Sequence, residues 1–252
     1  MQIIIPMAGF GHRFIREGYR DPKPLIPIDG KPIIEHIIGL FPGNHNFIFI
    51  CNAEHMEKTN MRQVLTTLKP EAKIVTISPH RLGPVQTILA AKDHIADELA
   101  TLICYCDVFV EWDFVKFQKT IEEAGYAGCL VCFKGFHPPL SRDGFYATIR
   151  TDENNIVQEV REKYSFTPDK MDSWNSAGIH YFKSGATIKK YFQELIDKEM
   201  LVNDEYYVSM THNLLIRDGL LNGIFPVEYF ISWGKPHDVR EYIYWSNYFK
   251  KL

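Results

Sequence analysis

The first half of the chain alternates short apolar runs with helix-like segments, and this alternation limits the fold more than any other feature. The apolar runs predict strands at 2–6, 47–52, 73–78 and 101–108, which read QIIIP, FIFICN, KIVTIS and TLICYCDV. The segments between them have helical periodicity, at 32–41, 53–68 and 84–96. Successive β-α steps build a parallel sheet covered by helices on both faces. The sequence therefore predicts an α/β protein with a doubly wound sheet.

The second half is more mixed. Its predicted strands are 128–136, 144–152, 155–163 and 177–184, and its predicted helices are 185–200, 204–218 and 237–251. No linker, low-complexity tract or internal repeat separates the two halves. The added strands can extend the first sheet into a mostly parallel mixed sheet. We expect a single domain over 1–252, in which 1–110 and 111–252 are two functional halves.

Charge and hydropathy exclude several classes of protein. The net charge of −3 argues against a broad nucleic-acid footprint, because such proteins carry a strongly basic domain. No apolar run approaches the roughly 18 residues of a membrane helix, and the N-terminus lacks the basic region of a signal peptide. We therefore expect a soluble, cytoplasmic protein with no nucleic-acid partner and no membrane segment.

Five cysteines lie in apolar runs, and two of them form Cys129-x-x-Cys132. This pair could be half of a zinc site or a redox pair. A zinc site needs four ligands, however, and no second pair with matching spacing is present. The alternative, reduced thiols buried in the core of a cytosolic protein, is the interpretation we adopt.

A glycine-rich turn follows the first strand. Gly9 and Gly11 let backbone N–H groups face phosphate oxygens without interference from a Cβ atom, and Arg13 can donate two hydrogen bonds to one phosphate. Lys23 follows in DPKPLIP, where three prolines stiffen the chain. A solvated surface cation is the alternative for Lys23, but rigid flanks favour an immobilised one. The turn predicts phosphate binding, although it is neither a dinucleotide nor a Walker motif.

The segments PMAGFGHRF (6–14) and DPKPLIPIDGKPII (21–34) together resemble the signature of the sugar-phosphate nucleotidyltransferases, which is GxGxR followed about ten residues later by KPL. The resemblance extends along the whole chain. It implies a Rossmann-like sheet and transfer of a nucleoside monophosphate from a triphosphate to a phosphorylated acceptor, with release of pyrophosphate. The residues that it implies for triphosphate binding are Ala8, Gly9, Gly11, Arg13 and Lys23. The last two would stabilise the leaving pyrophosphate.

Two further positions match sites that this family uses. Asp107 ends the apolar strand LICYCD, and a carboxylate at the carboxyl end of such a strand lies at the crevice where ligands bind. Position alone makes it either a ligand of Mg²⁺ or a helix N-cap. The resemblance implies that Asp107 is the first metal ligand of the bound nucleotide. Gly83 begins a predicted helix, and the resemblance implies that its segment contacts the nucleobase.

The acceptor side follows the family's order of a glycine, an EK pair and an NAG-type strand, matched here by Gly144, Glu162-Lys163 and Asn175 to Gly178. The resemblance implies that Lys163 binds the acceptor phosphate and takes part in catalysis. It also implies that Glu162 binds a polar group of the acceptor, and that Asn175 or Gly178 lines the pocket. A solvated strand edge is the alternative for the charged pair.

Three positions depart from the family pattern. His12 replaces a small hydroxyl residue of the glycine loop, Tyr164 replaces the proline after EK, and Ser232 falls where a second metal aspartate is often found. Asp238 or another group would then complete the magnesium site. The missing proline favours an acceptor other than an ordinary hexose phosphate.

The opening IPMAGxGxRF and the tail WGxPxD are similar to those of short enzymes of bacterial capsule and surface-polysaccharide pathways. That group includes cytidylyltransferases, one of which acts on phosphoglutamine. We therefore favour CTP as the donor, and keep phosphoglutamine and a sugar 1-phosphate as acceptors. The sequence leaves open whether the chain forms a homo-oligomer. No hexapeptide repeat is present, so we expect no attached acyltransferase.

Two other functions compete with nucleotidyl transfer. A glycosyltransferase of similar sheet topology would carry a D-x-D pair, and Asp107-Val108-Phe109 lacks the second aspartate. The second competing function is that of a nucleotide-sensing module without catalytic activity, which Ser232 suggests because it stands in place of a metal aspartate. Release of pyrophosphate would distinguish both from a nucleotidyltransferase.

Overall fold

The structure, a computed structural model, describes residues 1–142 and 146–251. Its strands, in chain order, are β1 (Gln2–Met7), β2 (Pro27–Ile28), β3 (Lys31–Pro32), β4 (Asn46–Asn52), β5 (Lys73–Ile77), β6 (Thr101–Cys104), β7 (Val108–Glu111), β8 (Gly128–Phe133), β9 (Thr148–Thr151), β10 (Val157–Arg161), β11 (Trp174–Phe182), β12 (Asn222–Pro226) and β13 (Tyr229–Ser232). Its α-helices are α1 (His12–Arg16), α2 (Ile33–Gly39), α3 (Ala53–Lys58), α4 (Met61–Leu68), α5 (Pro84–Leu89), α6 (Phe114–Glu123), α7 (Gly185–Asp197), α8 (Val208–Arg217) and α9 (Pro236–Phe249). Short 3₁₀ helices lie at Lys23–Leu25, Lys92–His94, Pro138–Ser141 and Lys170–Asp172.

The four strands predicted in the first half lie side by side and run parallel. β1 pairs with β4 on one side and with β6 on the other, and β4 pairs with β5. β11 then adds antiparallel to β6, and it also pairs with β8 and β9. β12 pairs in parallel with β8. The sheet is therefore mixed, with a parallel region built by the first half of the chain.

Helices cover both faces of this sheet. Ile3 and Ile5 of β1 belong to one buried apolar cluster, while Ile4 between them belongs to another, as the alternation of a strand requires. α2, α4, α6 and α9 contribute to the first cluster. α5, α7 and α8 contribute to the second. The predicted doubly wound, Rossmann-like α/β fold is confirmed.

The predicted helix at 53–68 is interrupted, because the side chain of Thr59 competes for the backbone. Its hydroxyl donates to the carbonyl of His55 over 2.7 Å and accepts from the N–H of Met61 over 3.2 Å. One hydroxyl thus ends α3 and begins α4. The helix predicted at 84–96 also stops early, at Leu89, before a 3₁₀ turn.

The strand predicted at 101–108 ends at Cys104, and this change matters for the site. The N–H of Tyr105 bonds the carbonyl of Gly178 over 3.0 Å, after which the chain leaves the main sheet. It then enters a separate two-stranded sheet, in which β7 pairs with β13. Asp107 therefore lies on the short turn between two sheets.

The remaining predicted elements are present with shifted bounds. The described strands and α-helices that the sequence analysis did not predict are α1, α6, β2, β3, β7, β12 and β13. α6 carries a sequence signal, because the side chain of Asp113 caps it by accepting from the N–H of Lys116 over 2.8 Å. No helix in the described ranges is long and apolar enough to cross a membrane.

Candidate active site

A cleft of about 760 Å³ opens at the carboxyl ends of the parallel strands. This is the edge at which open α/β sheets bind ligands. The predicted site residues that line it are Ala8, Gly9, Gly11, Arg13, Lys23, Gly83, Asp107 and Lys163. Glu162, Asn175, Gly178 and Asp238 lie outside its lining in the described part of the chain. Gly144 falls outside the described residues.

The cleft is positively charged, although the whole chain carries a net charge of −3. Its basic lining side chains in the described residues are Arg13, Arg16, Lys23, Arg81 and Lys163, and its carboxylates are Asp107 and Glu205. A cleft with low-dielectric walls concentrates the potential of such charges. The cleft is therefore suited to a polyanionic ligand.

The glycine loop leads from β1 into α1. Gly11 has φ 68°, a left-handed conformation, and its carbonyl accepts from the N–H of Phe14 over 2.9 Å. A residue with a Cβ atom is strained there. The loop exposes the Arg13 side chain, which makes no ion pair with any described residue.

Lys23 and Asp107 meet at the floor of the cleft. The ammonium lies 2.6 Å from Oδ2 of Asp107. Pro24 and Leu25 are buried beside Lys23 and anchor its short 3₁₀ helix. Burial alone would lower the pKa of Lys23, but the Asp107 carboxylate outweighs it and raises that pKa above its ordinary value. Lys23 is therefore a fixed positive charge at neutral pH.

Gly83 holds the loop after β5 against the chain before α8. Its φ is 87°, and a Cβ atom built on it would lie 2.7 Å from the carbonyl oxygen of Tyr206. Two backbone bonds close the contact, from Tyr206 N–H to the Leu82 carbonyl (2.9 Å) and from Val85 N–H to the Tyr206 carbonyl (3.2 Å). Only glycine allows this approach, so Gly83 shapes the wall predicted to contact the base.

Lys163 lines the cleft, and Glu162 next to it lies outside the lining. Lys163 has φ 52° and its ammonium lies 5.4 Å from the centre of the Tyr207 ring. Glu162 accepts a hydrogen bond from the hydroxyl of Ser209. Burial raises the pKa of Glu162, and the Ser209 hydrogen bond opposes that rise. Lys163 thus presents its charge to the cleft while Glu162 is held behind it.

Asn175 and Gly178 lie on β11, behind the wall of the cleft. The buried Asn175 amide donates to the carbonyls of Lys170 (3.0 Å) and Ser173 (2.8 Å). Gly178 has φ 74°, and a Cβ atom there would lie 3.0 Å from the ring of Tyr105, which lines the cleft. In this geometry both residues support the wall.

Ser232 lies near Asp107, and Asp238 lies next to Ser232. The Ser232 hydroxyl lies 3.5 Å from Oδ2 of Asp238, while Oδ1 of Asp238 pairs with Arg142 over 2.8 Å and lies 3.0 Å from Nε2 of His237. Arg142 also bonds Glu241. The sequence contains no signal for the Arg142 pair, because its partners are about a hundred residues away. A metal ion at Asp238 would have to use Oδ2, the oxygen that faces Ser232.

Comparison with known sequences decides the family. The sequence profile of the MobA-like NTP transferase domain matches residues 3–164. The chain belongs to this family. The predicted membership of a nucleotidyltransferase family is confirmed at this level.

Curated proteins and solved structures are similar to this chain over most of its length. The bifunctional protein GlmU of Methanocaldococcus jannaschii is 31% identical over 243 residues, which cover 96% of this chain and 53% of that protein. This chain thus spans about half the length of the curated relatives it matches. A nucleoside-diphosphate-sugar pyrophosphorylase from Vibrio cholerae RC9 superposes with a TM-score of 0.77 at 20% identity, over 96% of this chain and 99% of that one. The inositol-1-phosphate CTP transferase from T. maritima superposes with a TM-score of 0.69 at 15% identity, over 96% of this chain and 94% of that one. These structures confirm the fold.

A MobA-like NTP transferase is expected to use a divalent metal ion, and the donors near Asp107 fit one that arrives with its substrate. Gly234 leaves a space there, because a Cβ atom on it would lie 3.0 Å from Oδ2 of Asp107 and 3.4 Å from the Ser232 hydroxyl. No group of three His, Cys, Asp or Glu side chains that could hold a metal occurs within 1–142 and 146–251. Mg²⁺ commonly binds through one or two carboxylates, with water and phosphate oxygens completing its shell. The donors do not form an all-protein metal site.

Proposed function

We propose that this chain is a nucleotidylyltransferase that moves a nucleoside monophosphate from a triphosphate to a phosphorylated small-molecule acceptor and releases pyrophosphate. The observation that carries the proposal is the Lys23–Asp107 pair at the floor of a positively charged cleft. The pair sets a fixed cation beside a carboxylate able to hold Mg²⁺. Phosphoryl and nucleotidyl transfer need both charges, and little else from the protein.

The reaction is an in-line displacement at the α-phosphorus. An oxygen of the acceptor phosphate forms the new bond to the α-phosphorus, the bond to the bridging oxygen of the β-phosphate breaks, and its electron pair leaves on pyrophosphate. An anionic phosphate is already a nucleophile, so no protein base is required. The protein contributes position and charge.

The scheme assigns tasks to three of the basic residues that line the cleft. Arg13 and Lys23 bind the β- and γ-phosphates and neutralise the charge that grows on leaving pyrophosphate. Lys163 binds the acceptor phosphate. Asp107 would hold Mg²⁺, which lowers the charge on the phosphate oxygens. Asp238, through Oδ2, is the second candidate ligand.

We propose CTP as the donor and phosphoglutamine as the first acceptor to test, in the synthesis of capsule or surface-polysaccharide precursors. The support is the likeness of the IPMAGxGxRF opening and the WGxPxD tail to short cytidylyltransferases, together with Tyr164 in place of proline. A sugar 1-phosphate is the competing acceptor. It is favoured by relatives such as a mannose-1-phosphate guanyltransferase, described as putative, from Sulfolobus acidocaldarius, 21% identical over 188 residues.

The test combines each of four nucleoside triphosphates with phosphoglutamine, a set of sugar 1-phosphates and unphosphorylated analogues, and detects pyrophosphate. We expect release with CTP and a phosphorylated acceptor, dependent on Mg²⁺, and none with the unphosphorylated analogue. If pyrophosphate is released only with another nucleoside triphosphate or only with a sugar 1-phosphate, the proposed substrates are wrong, but the chain is still a nucleotidylyltransferase. Tight triphosphate binding with no pyrophosphate from any acceptor would overturn the proposal in favour of a silent nucleotide-binding module.

A further inference from the structure

Arg81 lines the cleft, and the proposed reaction gives it no task. It lies in the loop between β5 and α5, directly before Leu82 and Gly83. Its side chain is exposed and makes no hydrogen bond or ion pair with the described residues. An unpaired guanidinium in a cleft is available for an anionic ligand.

The backbone that carries Arg81 is held in place by a closed set of hydrogen bonds. The N–H of Leu82 donates to Nδ1 of His80 over 3.2 Å, so this nitrogen is the acceptor of a neutral ring. The other ring nitrogen lies 3.2 Å from the hydroxyl of Thr87, which donates to the carbonyl of Gly83 over 3.3 Å. Burial lowers the pKa of His80, which favours this neutral form. Arg81 thus extends from a rigid loop.

The guanidinium of Arg81 rests on the glycine loop. Its central carbon lies 5.8 Å from the centre of the Phe10 ring, within the range of a cation–π contact. Phe10 stands between Gly9 and Gly11, and its ring also stacks on His12 at 4.9 Å with an angle of 11°. The contact joins the base-side loop to the loop that carries Arg13. It holds the Arg81 charge over the region predicted to bind phosphates.

Most arginines outside the cleft pair with carboxylates in the described residues, Arg20 and Arg62 being the exceptions. Arg142, Arg150, Arg161, Arg217 and Arg240 all pair with carboxylates. Arg13, Arg16 and Arg81, which line the cleft, have no such partner in the part of the chain that the structure describes. The cleft therefore carries guanidinium groups that no carboxylate of the described residues neutralises.

From these observations we infer that Arg81 is a further phosphate-binding residue, which contacts the β- and γ-phosphates of the nucleoside triphosphate from the base-side loop. The ligand chemistry is pyrophosphate. A planar guanidinium donates two parallel hydrogen bonds to such a group, and Arg13 and Lys23 would hold its other side. The inference deepens the proposed function and rests on it.

The test compares Arg81→Gln with Arg62→Gln, an exposed arginine of α4 that also lacks an ion pair among the described residues but lies outside the cleft. Calorimetry with inorganic pyrophosphate, in the presence of Mg²⁺, measures the affinity. We expect Arg81→Gln to weaken binding by about tenfold, because a charge-assisted pair is lost, and Arg62→Gln to have no effect. Phe10→Leu should weaken it by about threefold, since only the cation–π contact disappears.

Steady-state kinetics supply a readout that a merely damaged fold would not give. Arg81→Gln should raise KM for the triphosphate and leave KM for the acceptor unchanged, while binding of the nucleoside monophosphate stays as in the wild type. Pyrophosphate affinity equal to that of the wild type would overturn the inference alone. If the wild type binds pyrophosphate through Arg81 but releases none from any triphosphate, the proposed function fails and the inference stands. A wild type that does not bind pyrophosphate overturns both.

Discussion

The ammonium of Lys23 lies 2.6 Å from Oδ2 of Asp107, although 84 residues separate them in the chain. The exposed fractions of the two side chains are 24% and 19%, so the pair is shielded but reachable from the cleft. Two features create it, the proline-anchored turn that carries Lys23 and the exit of the chain from β6 before Asp107. The pair joins the glycine-loop segment to the edge of the sheet where the reaction is proposed.

Replacing Lys23 by Met tests its proposed task. Loss of one fixed cation from the leaving pyrophosphate should lower turnover by roughly 100-fold, or about 3 kcal/mol of barrier. Pyrophosphate release at saturating substrate measures this. The matched control is Lys31→Met, because Lys31 is an exposed lysine that pairs with Glu35 on the surface, and its loss should leave turnover unchanged. Near-normal turnover of the Lys23 variant would remove Lys23 from the mechanism.

Asp238→Asn separates two roles of one carboxylate. We expect it to change the free energy of unfolding by less than about 1 kcal/mol, because burial raises the pKa of Asp238 against the Arg142 pair, and Arg142 keeps Glu241 as a partner. We expect the Mg²⁺ concentration for half-maximal activity to stay within about twofold, whereas Asp107→Asn should raise it more than about tenfold. The opposite result for Asp238, a large change in Mg²⁺ requirement with an intact fold, would make it the second metal ligand.

Gly83→Ala should be strongly destabilising. A Cβ atom there meets backbone atoms of Tyr206 at 2.7 and 2.8 Å, and φ is 87°. We expect a loss of about 3 kcal/mol in the free energy of unfolding, measured with urea. Gly125→Ala is the control, because φ is 63° there but no atom lies within 4 Å of the added Cβ, and it should lose only about 1 kcal/mol. Equal losses would mean that the approach to Tyr206 is not rigid.

A buried histidine pair predicts loss of stability in mild acid. Nδ1 of His180 lies 3.3 Å from Nε2 of His212, and Nδ1 of His212 lies 3.0 Å from Oδ1 of Asn222. Burial lowers the pKa of His212 from 6.5 to about 4, against an opposing hydrogen bond to the amide oxygen of Asn222. As pH falls from 6.5 to 4, the unfolded chain therefore binds a proton that the folded chain does not. The free energy of unfolding should fall by up to about 1.4 kcal/mol per pH unit from this residue.

Urea unfolding at pH 7, 6 and 5 measures this dependence. His212→Gln should lower the slope of the free energy of unfolding against pH by the equivalent of about one bound proton. His94→Gln is the control, since that ring is exposed, and should leave the slope as in the wild type. An unchanged slope in His212→Gln would exclude His212 as the source.

The parallel half of the fold follows from the sequence, because its strands are continuous apolar runs and each is followed by a periodic segment. The breaks at Thr59 and at Tyr105 do not follow from it. They depend on one hydroxyl that bonds in both directions and on a bond to Gly178, which is distant in the chain. For the site, residues in glycine- and proline-rich turns were predictable. Arg142 and Arg81 were not, because a lone arginine has no pattern and its partner is set by tertiary packing.

The strand β11 bonds to β6 from the first half and to β8 and β9 from the second, and one apolar cluster runs from Ile3 to Val239. A cut near residue 110 would therefore remove the β11 neighbour of β6, leave β6 as an edge strand beside β1, and open that cluster to water. Neither fragment should fold by itself. If the two were produced together, activity would return only through their reassociation, so the chain is suited to complementation by fragments and not to independent use of its halves.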